Sequence, residues 1–342
     1  MRKALFIGID FYANGNTLHG CVNDAVSMCR ALELNHDSSR NFQYRTLLAE
    51  NVEMEDGSEG CFSPIHQHQL SSAIEWLFDG GVDSALEIAL FYFSGHGAVV
   101  DDKGYLCPSN YSGKRTGVPM SELIEAATKS KARNKIIILD CCHSGATGIE
   151  KFSKELSGLP EDTVIMAGCT KDGYSQEKNG SGVFTQLFVE ALQGAGSNIM
   201  GEVTPGSIYA YIDKSLGAFD QRPVFKANVK SFICLRRNKP LIKMDELRRL
   251  TEFFWNPEFE LPLDPSYEED KKNLPEGADP TKNEAHEADF VVLRNYCQNG
   301  LIVPVGVPKD KEYMYWAAVL SKGCKLTAMG RHYWQMLHKG VI

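Results

Sequence analysis

Two stretches decide the fold of this chain, Leu90-Phe-Tyr-Phe-Ser-Gly-His96-Gly97 and Ile136-Ile-Ile-Leu-Asp140-Cys-Cys142-His-Ser-Gly145. Each is a short apolar run that ends abruptly in small and reactive residues. This pattern is typical of a buried parallel strand that presents its last side chains at the edge of a sheet. One strand ends with a histidine and the other with a cysteine, 46 positions further on. A cysteine thiol acts as a nucleophile when a base or a positive group activates it, and imidazole is the usual base.

Strand-like and helix-like segments alternate around these stretches over the first 235 residues. The predicted strands are Ala4–Ile9, Tyr44–Ala49, Leu86–Phe93, Lys135–Cys141, Thr163–Ala167 and Val229–Leu235. The predicted helices are Asn23–Leu34, Gln67–Phe78, Ser121–Lys129, Val183–Gln193 and Pro205–Leu216. Such alternation favours an α/β fold, here a mostly parallel six-stranded sheet with helices on both faces. Sites in these sheets form beyond the carboxyl ends of the strands, where both reactive stretches lie.

The bulk composition is that of a globular protein. The 342 residues are 43% hydrophobic and 23% charged, with a formal net charge of −8. No apolar run approaches the roughly 18 residues that a membrane span needs, and the N-terminus does not resemble a signal peptide. The ten cysteines are scattered, which favours buried thiols over disulfides. We therefore expect a cytoplasmic protein without membrane contact.

The composition changes after the alternating region. Residues 256–289 contain five prolines, eleven acidic residues and three lysines, which predicts an extended acidic linker over 238–289 after a first domain of residues 1–237. Residues 290–342 again alternate apolar segments, and their last helix resembles that of small winged-helix domains. Seven Lys and Arg against two acidic residues make this module mildly basic. We expect it to regulate the first domain or to bind a partner.

Strand alternation distinguishes the two adjacent cysteines. Residues two apart on a strand point the same way, so Asp140 and Cys142 share one face while Leu139 and Cys141 share the other. Leu139 belongs with the apolar filling, which makes Cys141 a packed thiol and Cys142 the candidate nucleophile. The backbone N–H groups of Gly97 and Cys142 are candidates for an oxyanion hole.

The segments Tyr92-Phe-Ser-Gly-His-Gly97 and Asp140-Cys-Cys-His-Ser-Gly145 resemble the His and Cys motifs of caspase-like peptidases, in particular the metacaspase branch. Their spacing fits the roughly 50 residues between the two motifs in caspases. Three further segments match the same branch: Leu18-His-Gly-Cys-Val-Asn-Asp-Ala25, Gly182-Val-Phe-Thr185 and Gln221-Arg-Pro223. The resemblance implies a caspase-like fold and a cysteine endopeptidase. In such an enzyme His96 would act as the general base and acid, and Cys142 would attack the peptide carbonyl to form an acyl-enzyme.

The resemblance also implies an acidic pocket for the residue before the cut. Its members are Cys21, Asp24, Ser94 and Asp140. Two carboxylates in one concave site complement a cationic side chain, with bidentate pairing favouring arginine, and they repel aspartate. We expect cleavage after Arg or Lys. The alternative is that Asp24 caps a helix and Asp140 holds loop amides.

Many metacaspases need calcium, but this chain departs from their pattern. After His96 the nearby acidic residues are Asp101 and Asp102, and Asn110 stands where the family often has Asp. Calcium takes six to eight oxygen ligands, so we expect no cofactor and no calcium dependence. The group Cys61, His66 and His68 lacks a convincing fourth zinc ligand, and we expect no metal there.

Lysines and arginines in connecting segments are candidate self-cleavage sites for a peptidase that cuts after basic residues. They are Lys151, Lys154, Arg236, Arg237, Lys271 and Lys272. The alternative for each is a solvated surface side chain.

The expected partners are a protein substrate and an upstream activating protease or sensor, as in a regulated effector of prokaryotic defence or cell death. This expectation rests on analogy. Two alternatives are a nucleic-acid-binding regulator that uses the basic module and a catalytically silent scaffold. The small charge excess argues against the first, and the intact His96, Cys142, Asp24 and Asp140 argue against the second.

Overall fold

A computed structural model describes residues 1–55, 58–79, 85–113, 115–142, 158–168, 182–217, 222–269, 274 and 283–342, with Cys142 described by its backbone alone. The chain forms two compact units, residues 1–239 and residues 240–342. Within the described ranges, no helix combines the length and the apolar character that crossing a bilayer requires.

The first unit is built on one large sheet. Its strands are β1 Arg2–Ile9, β2 Gln43–Ala49, β5 Ile88–Val100, β6 Lys103–Leu106, β7 Val118–Pro119, β8 Asn134–Cys142, β9 Thr163–Gly168 and β11 Val224–Asn228. The main strands follow the spatial order β11-β9-β8-β5-β1-β2, in which the last five are mutually parallel and β11 runs antiparallel to β9. A short antiparallel extension, β6 and β7, pairs with the end of β5 and brings the described sheet to eight strands. Two-residue strands outside this sheet are β3 Val52–Glu53, β4 Glu59–Gly60, β10 Glu202–Val203 and β12 Arg236–Arg237.

Helices cover both faces of this sheet, as the alternation in sequence predicts. They are α1 Cys21–Glu33, α2 Gln67–Phe78, α3 Met120–Lys129, α4 Val183–Glu190 and α5 Pro205–Ser215. A π-helical turn, Ala191–Ala195, follows α4. Helix α5 starts as expected, because Pro205 occupies its first turn and the Thr204 hydroxyl accepts from the Ser207 N–H.

The core consists of two apolar clusters, one on each side of the sheet. Leu5, Ile7 and Ile9 of β1 pack with α2 and α3, whereas Ala4 and Phe6 pack with α1, α4 and α5. Strands β5 and β8 alternate in the same way. Both of their faces are therefore apolar, which is why these segments read as continuous hydrophobic runs.

The sixth predicted strand is wrong. The strand lies at Val224–Asn228, one segment earlier than predicted, and it is antiparallel to β9. The predicted run Val229–Leu235 leaves the sheet instead: Phe232 is 42% exposed, while Leu235 is buried in the core on the α1 side. An edge strand needs one partner and one covered face, so a long apolar run is a poor marker for it.

The second unit begins at Pro240 and contains helices and a three-stranded antiparallel sheet in the order β13-β15-β14. Its helices are α6 Met244–Arg248, α7 Leu250–Phe253, α8 Glu284–Gln298, α9 Met314–Val319 and α10 Ala328–His338. Its strands are β13 Glu260–Pro262, β14 Ile302–Val305 and β15 Gly323–Leu326, and short 3-10 turns lie at Pro265–Tyr267 and Lys309–Lys311.

The predicted linker over 238–289 differs from the structure. Its described part folds with the second unit, since β13 pairs with β15 and the Arg294 guanidinium binds the buried carboxylate of Glu268. The acidic composition that suggested a solvated segment instead supplies a partner for an arginine of α8. The winged-helix likeness of 290–342 stays a prediction: helices and short strands are present, but a helix separates each described strand of this sheet from the next.

Candidate active site

The register of the sheet places the two predicted catalytic residues side by side. Strands β5 and β8 are parallel neighbours, with His96 opposite Cys142 and Ser94 opposite Asp140. Adjacent strands lie roughly 4.8 Å apart. His96 is the last residue of β5 that pairs with β8, and Cys142 is the last residue of β8, so the two lie side by side at the carboxyl edge of the parallel sheet. Beyond His96, β5 continues to Val100 as the partner of β6.

Two residues of the loop after β1 hold the His96 side chain. Its Nε2 lies 2.8 Å from the Asn16 carbonyl oxygen, and its ring packs on Tyr12 with centroids 4.5 Å apart. The Tyr12 hydroxyl oxygen also accepts the His96 backbone N–H at 2.7 Å. A carbonyl oxygen only accepts hydrogen bonds, so Nε2 of the neutral ring carries the proton and Nδ1 keeps its lone pair.

Burial lowers the pKa of His96 below its ordinary value of 6.5, and the hydrogen bond to Asn16 partly offsets this effect. The imidazole therefore stays neutral, and able to accept a proton, to a lower pH than a free histidine does. This is the form that a general base requires.

Cys141 is a packed thiol, as strand alternation predicts. It is 3% exposed and belongs to the same apolar cluster as Ile137 and Leu139 of its strand. This confirms that Leu139 and Cys141 share the apolar face, which leaves Cys142 as the candidate nucleophile of the pair.

Asp24 lies in the first turn of α1 and is 2% exposed. Its carboxylate accepts the Ser94 hydroxyl at 3.3 Å, and the Gly182 N–H lies 3.2 Å and 3.3 Å from its two oxygens. Three distant parts of the chain meet here: α1, β5 and the residue before α4.

Asp140 lies beside this group. Its Oδ2 accepts the Thr185 hydroxyl at 2.6 Å. A Cβ atom on Gly182 would stand 2.8 Å from Oδ2 of Asp140 and 3.3 Å from Oδ2 of Asp24. Gly182 thus lies between the two carboxylates. Burial raises the pKa of Asp140, while the Thr185 hydroxyl and backbone N–H lower it.

Cys21, the first residue of α1, joins the same group. Its N–H donates to Asp10 at 2.8 Å, and its thiol interacts with Ser94. Burial, followed by the neighbouring carboxylates, raises the pKa of this thiol well above its ordinary value. Cys21 is therefore a neutral wall of the group and not a second nucleophile.

All four predicted pocket residues are thus brought together. Sequence reasoning gave no role to Tyr12, Asn16, Gly182 or Thr185. The last two stand in a segment that matched the metacaspase pattern, so a signal for them existed. Asn16 had no signal of its own, because it acts through its backbone carbonyl, and Tyr12 stood in none of the motifs that matched.

Gly97 follows His96 in β5 and lies opposite Leu106 of β6. Its predicted oxyanion role, like that of the Cys142 N–H, stays a prediction.

The candidate self-cleavage residues have different settings. Lys151, Lys154, Lys271 and Lys272 lie outside the described residues. Arg236 and Arg237 form β12, which pairs with β10, and the Arg236 side chain binds the Ala31 carbonyl and, at 3.0 Å, Asn238. Cleavage after either arginine therefore requires this strand to detach first.

In the part of the chain that the structure describes, no group of three or more His, Cys, Asp or Glu side chains is arranged to hold a metal ion. Asp101 and Asp102 form the turn between β5 and β6, where both adopt positive φ. The expectation that the protein works without calcium stays a prediction.

Comparison with known proteins agrees with this geometry. The model of the caspase domain, a peptidase family, matches residues 1–232. The chain therefore belongs to the caspase-domain family of cysteine peptidases.

Relatives within this family include metacaspases. Metacaspase-2 of Trypanosoma brucei brucei is 22% identical over 209 residues, covering 53% of this chain and 58% of that protein. Metacaspase-1 of Schizosaccharomyces pombe is 30% identical over 178 residues, covering 48% of this chain and 39% of that protein. The matched region thus spans somewhat more than half of the first relative and about two fifths of the second.

Among solved structures, caspase-1 from Spodoptera frugiperda superposes with a TM-score of 0.48 and 13% identity, over 69% of this chain and 92% of that one.

Proposed function

We propose that this protein is a cysteine endopeptidase that cleaves protein substrates after arginine or lysine. The observation that carries the proposal is the register of β5 and β8, which pairs His96 with Cys142 and Ser94 with Asp140. One pair of strand ends thereby supplies both the reacting residues and part of the pocket for the residue before the cut.

The first chemical step is proton transfer from the Cys142 thiol to Nδ1 of His96, followed by attack of the thiolate on the peptide carbonyl carbon. The Asn16 carbonyl supports this step, because it holds the proton on Nε2 and leaves Nδ1 as the acceptor. The imidazolium that forms keeps its hydrogen bond to Asn16. The bond between carbonyl carbon and oxygen becomes single, and the oxygen takes the negative charge.

Backbone N–H groups of Gly97 and Cys142 are proposed to stabilise that oxyanion. Collapse of the tetrahedral intermediate breaks the C–N bond, and the His96 imidazolium gives its proton to the departing amine. A thioester on Cys142 remains. Water, deprotonated by His96, then attacks the thioester and releases the second product with the thiol restored.

Specificity follows from the carboxylates of Asp24 and Asp140 on either side of Gly182. They are held by neutral donors, namely the hydroxyls of Ser94 and Thr185 and the N–H of Gly182. An arginine side chain brings a positive charge, which none of these donors carries, and it binds carboxylates in a bidentate manner. An aspartate side chain would add a third negative charge and be rejected.

The test compares wild type with Cys142→Ala and His96→Ala on two peptides that differ only in having Arg or Asp before the cut. We expect turnover of the Arg peptide by wild type alone. Equal or faster turnover of the Asp peptide contradicts the specificity. Activity that survives Cys142→Ala contradicts the mechanism and supports a scaffold with a contaminating peptidase.

For the biological role we propose a regulated effector in prokaryotic defence or programmed cell death, in which the second unit contacts an upstream protease or sensor. The support is the presence of a separate compact unit at residues 240–342 beside the peptidase unit. The genes that neighbour this one provide the test: a sensor or a dedicated substrate among them is expected, and a housekeeping operon contradicts the role.

A further inference from the structure

The start of α4 contacts both carboxylates of the proposed pocket. The Gly182 N–H lies within hydrogen-bond distance of Asp24, and one turn later the Thr185 hydroxyl donates to Asp140 at 2.6 Å. Thr185 is fully buried. A single short segment therefore fixes the positions of two acids that come from α1 and β8.

A second buried hydroxyl stands behind Thr185. The Tyr92 hydroxyl lies 2.6 Å from Thr185 Oγ1, and Tyr92 is fully buried. The Thr185 hydroxyl has one proton, which it gives to an ionised Asp140, so Tyr92 must be the donor to Thr185. The two hydrogen bonds therefore point the same way: Tyr92 donates to Thr185, and Thr185 donates to the Asp140 carboxylate, which only accepts.

The surroundings of Asp140 make this donor important. The Cys21 thiol and the Tyr92 phenol both interact electrostatically with Asp140, and the Asp24 carboxylate lies across Gly182 from it. These groups are neutral or negative, and burial by itself disfavours a charged Asp140. The donors from Thr185 oppose that effect, which is why burial raises the pKa of Asp140 less than it otherwise would.

We propose that the Thr185 hydroxyl, backed by Tyr92, is a positioning and specificity-determining element. It holds Asp140 as an oriented carboxylate and so sets how strongly the peptidase prefers a cationic residue before the cut. The proposal rests on the proposed function, since it concerns the same pocket. It differs in assigning the preference to two uncharged residues that need not touch the substrate.

Thr185→Val tests the proposal, because valine keeps the branched shape of threonine and removes the hydroxyl. Thr185→Ser is the matched control, because it keeps the hydroxyl and removes a methyl group. The full-length proteins are assayed on two peptides that differ only in arginine or citrulline before the cut. Citrulline has nearly the same shape as arginine but no charge.

We expect Thr185→Val to lose about tenfold of the Arg-over-citrulline ratio of kcat/KM, the usual scale for a hydrogen bond to a charged group. Thr185→Ser should keep most of the ratio, and Tyr92→Phe should fall between them. The Arg-over-citrulline ratio of kcat/KM, in which the titration of His96 cancels because it affects both peptides alike, should begin to fall at a higher pH in Thr185→Val than in wild type. The shift has this sign because Asp140 without its donor holds its proton to a higher pH.

A wild-type ratio of kcat/KM with a wild-type pH dependence in Thr185→Val overturns the proposal. If wild type itself shows no preference for arginine, the proposed function fails, and this result is seen before any variant is made. If Thr185→Val does not fold, as judged by circular dichroism, Tyr92→Phe decides: an unchanged ratio there overturns the proposal. Equal losses in Thr185→Ser and Thr185→Val also overturn it, because packing and not the hydroxyl would then be responsible.

Discussion

Adding one methyl group at Gly182 should block the proposed arginine pocket. Gly182 has φ −67° and ψ 135°, which alanine adopts without strain, so Gly182→Ala tests space and not backbone freedom. The new Cβ would stand 2.8 Å from Oδ2 of Asp140. This distance is about 0.7 Å short of the roughly 3.5 Å at which two heavy atoms pack well.

Relief of this contact requires a shift of the Asp140 carboxylate or of the segment that carries Gly182. The first moves an acid away from the substrate. The second pulls the Gly182 N–H off Asp24, and a hydrogen bond to a charged group is worth about 1.5–3 kcal/mol. Since about 1.4 kcal/mol is a factor of ten in rate, we expect kcat/KM for an Arg peptide to fall roughly 10- to 150-fold.

The assay is kcat/KM on matched arginine and citrulline peptides, with the rate of Cys142 alkylation by iodoacetamide as the measure of an intact catalytic centre. The loss should be confined to the arginine peptide, and alkylation should stay near the wild-type rate. Gly158→Ala is the matched control, because a Cβ there meets no atom of the described residues within 4 Å.

Wild-type kcat/KM for the arginine peptide in Gly182→Ala would refute the reasoning, since the added Cβ could not then be close to the residues that bind arginine. Equal losses for both peptides with slow alkylation would also refute it. That result would mean that the substitution disturbs the catalytic pair and not the pocket.

Three further predictions concern the catalytic centre and its requirements. The acid limb of kcat should have a midpoint below 6.5, because burial lowers the pKa of His96 and the base stays neutral until lower pH; a midpoint above this value contradicts the assignment. Tyr12→Phe removes the acceptor of the partly buried His96 N–H and should destabilise the protein by about 1 kcal/mol in urea unfolding. It should also lower kcat more than it changes KM, and an unchanged kcat would argue against a positioning role. Activity should be unchanged by EGTA, whereas strict calcium dependence would contradict the expectation that the protein works without a metal ion.

Local patterns in the sequence were sufficient for most elements of the first unit. Helix α2 spans Gln67–Phe78 as predicted, and the five parallel strands overlap the predicted ones, although β5 ends at Val100, seven residues beyond the predicted end at Phe93. The distinction between Cys141 and Cys142 also followed from the alternation of side chains along one strand. These features depend on residues within about ten positions of one another, and periodicity records such short-range geometry.

The sequence also selected Asp24 and Asp140 through a family resemblance, but it did not show how they are held. Thr185, which donates to Asp140, lies 45 positions from it, and Gly182, which donates to Asp24, lies 158 positions from it. The register that sets His96 opposite Cys142 depends likewise on the packing of the whole sheet. Periodicity within one segment cannot encode the offset between two segments.

The sequence by itself thus determined the class of fold, the two reactive strand ends and the face on which each side chain lies. Tertiary structure alone decided which loop fixes the tautomer of His96, which residues orient the two acids, and that part of the acidic segment belongs to the second unit. The physical reason is that side-chain periodicity is local, whereas backbone carbonyls and N–H groups act as partners wherever packing brings them. The Asn16 carbonyl and the Gly182 N–H are such groups, and the pattern of side chains in the sequence does not indicate them.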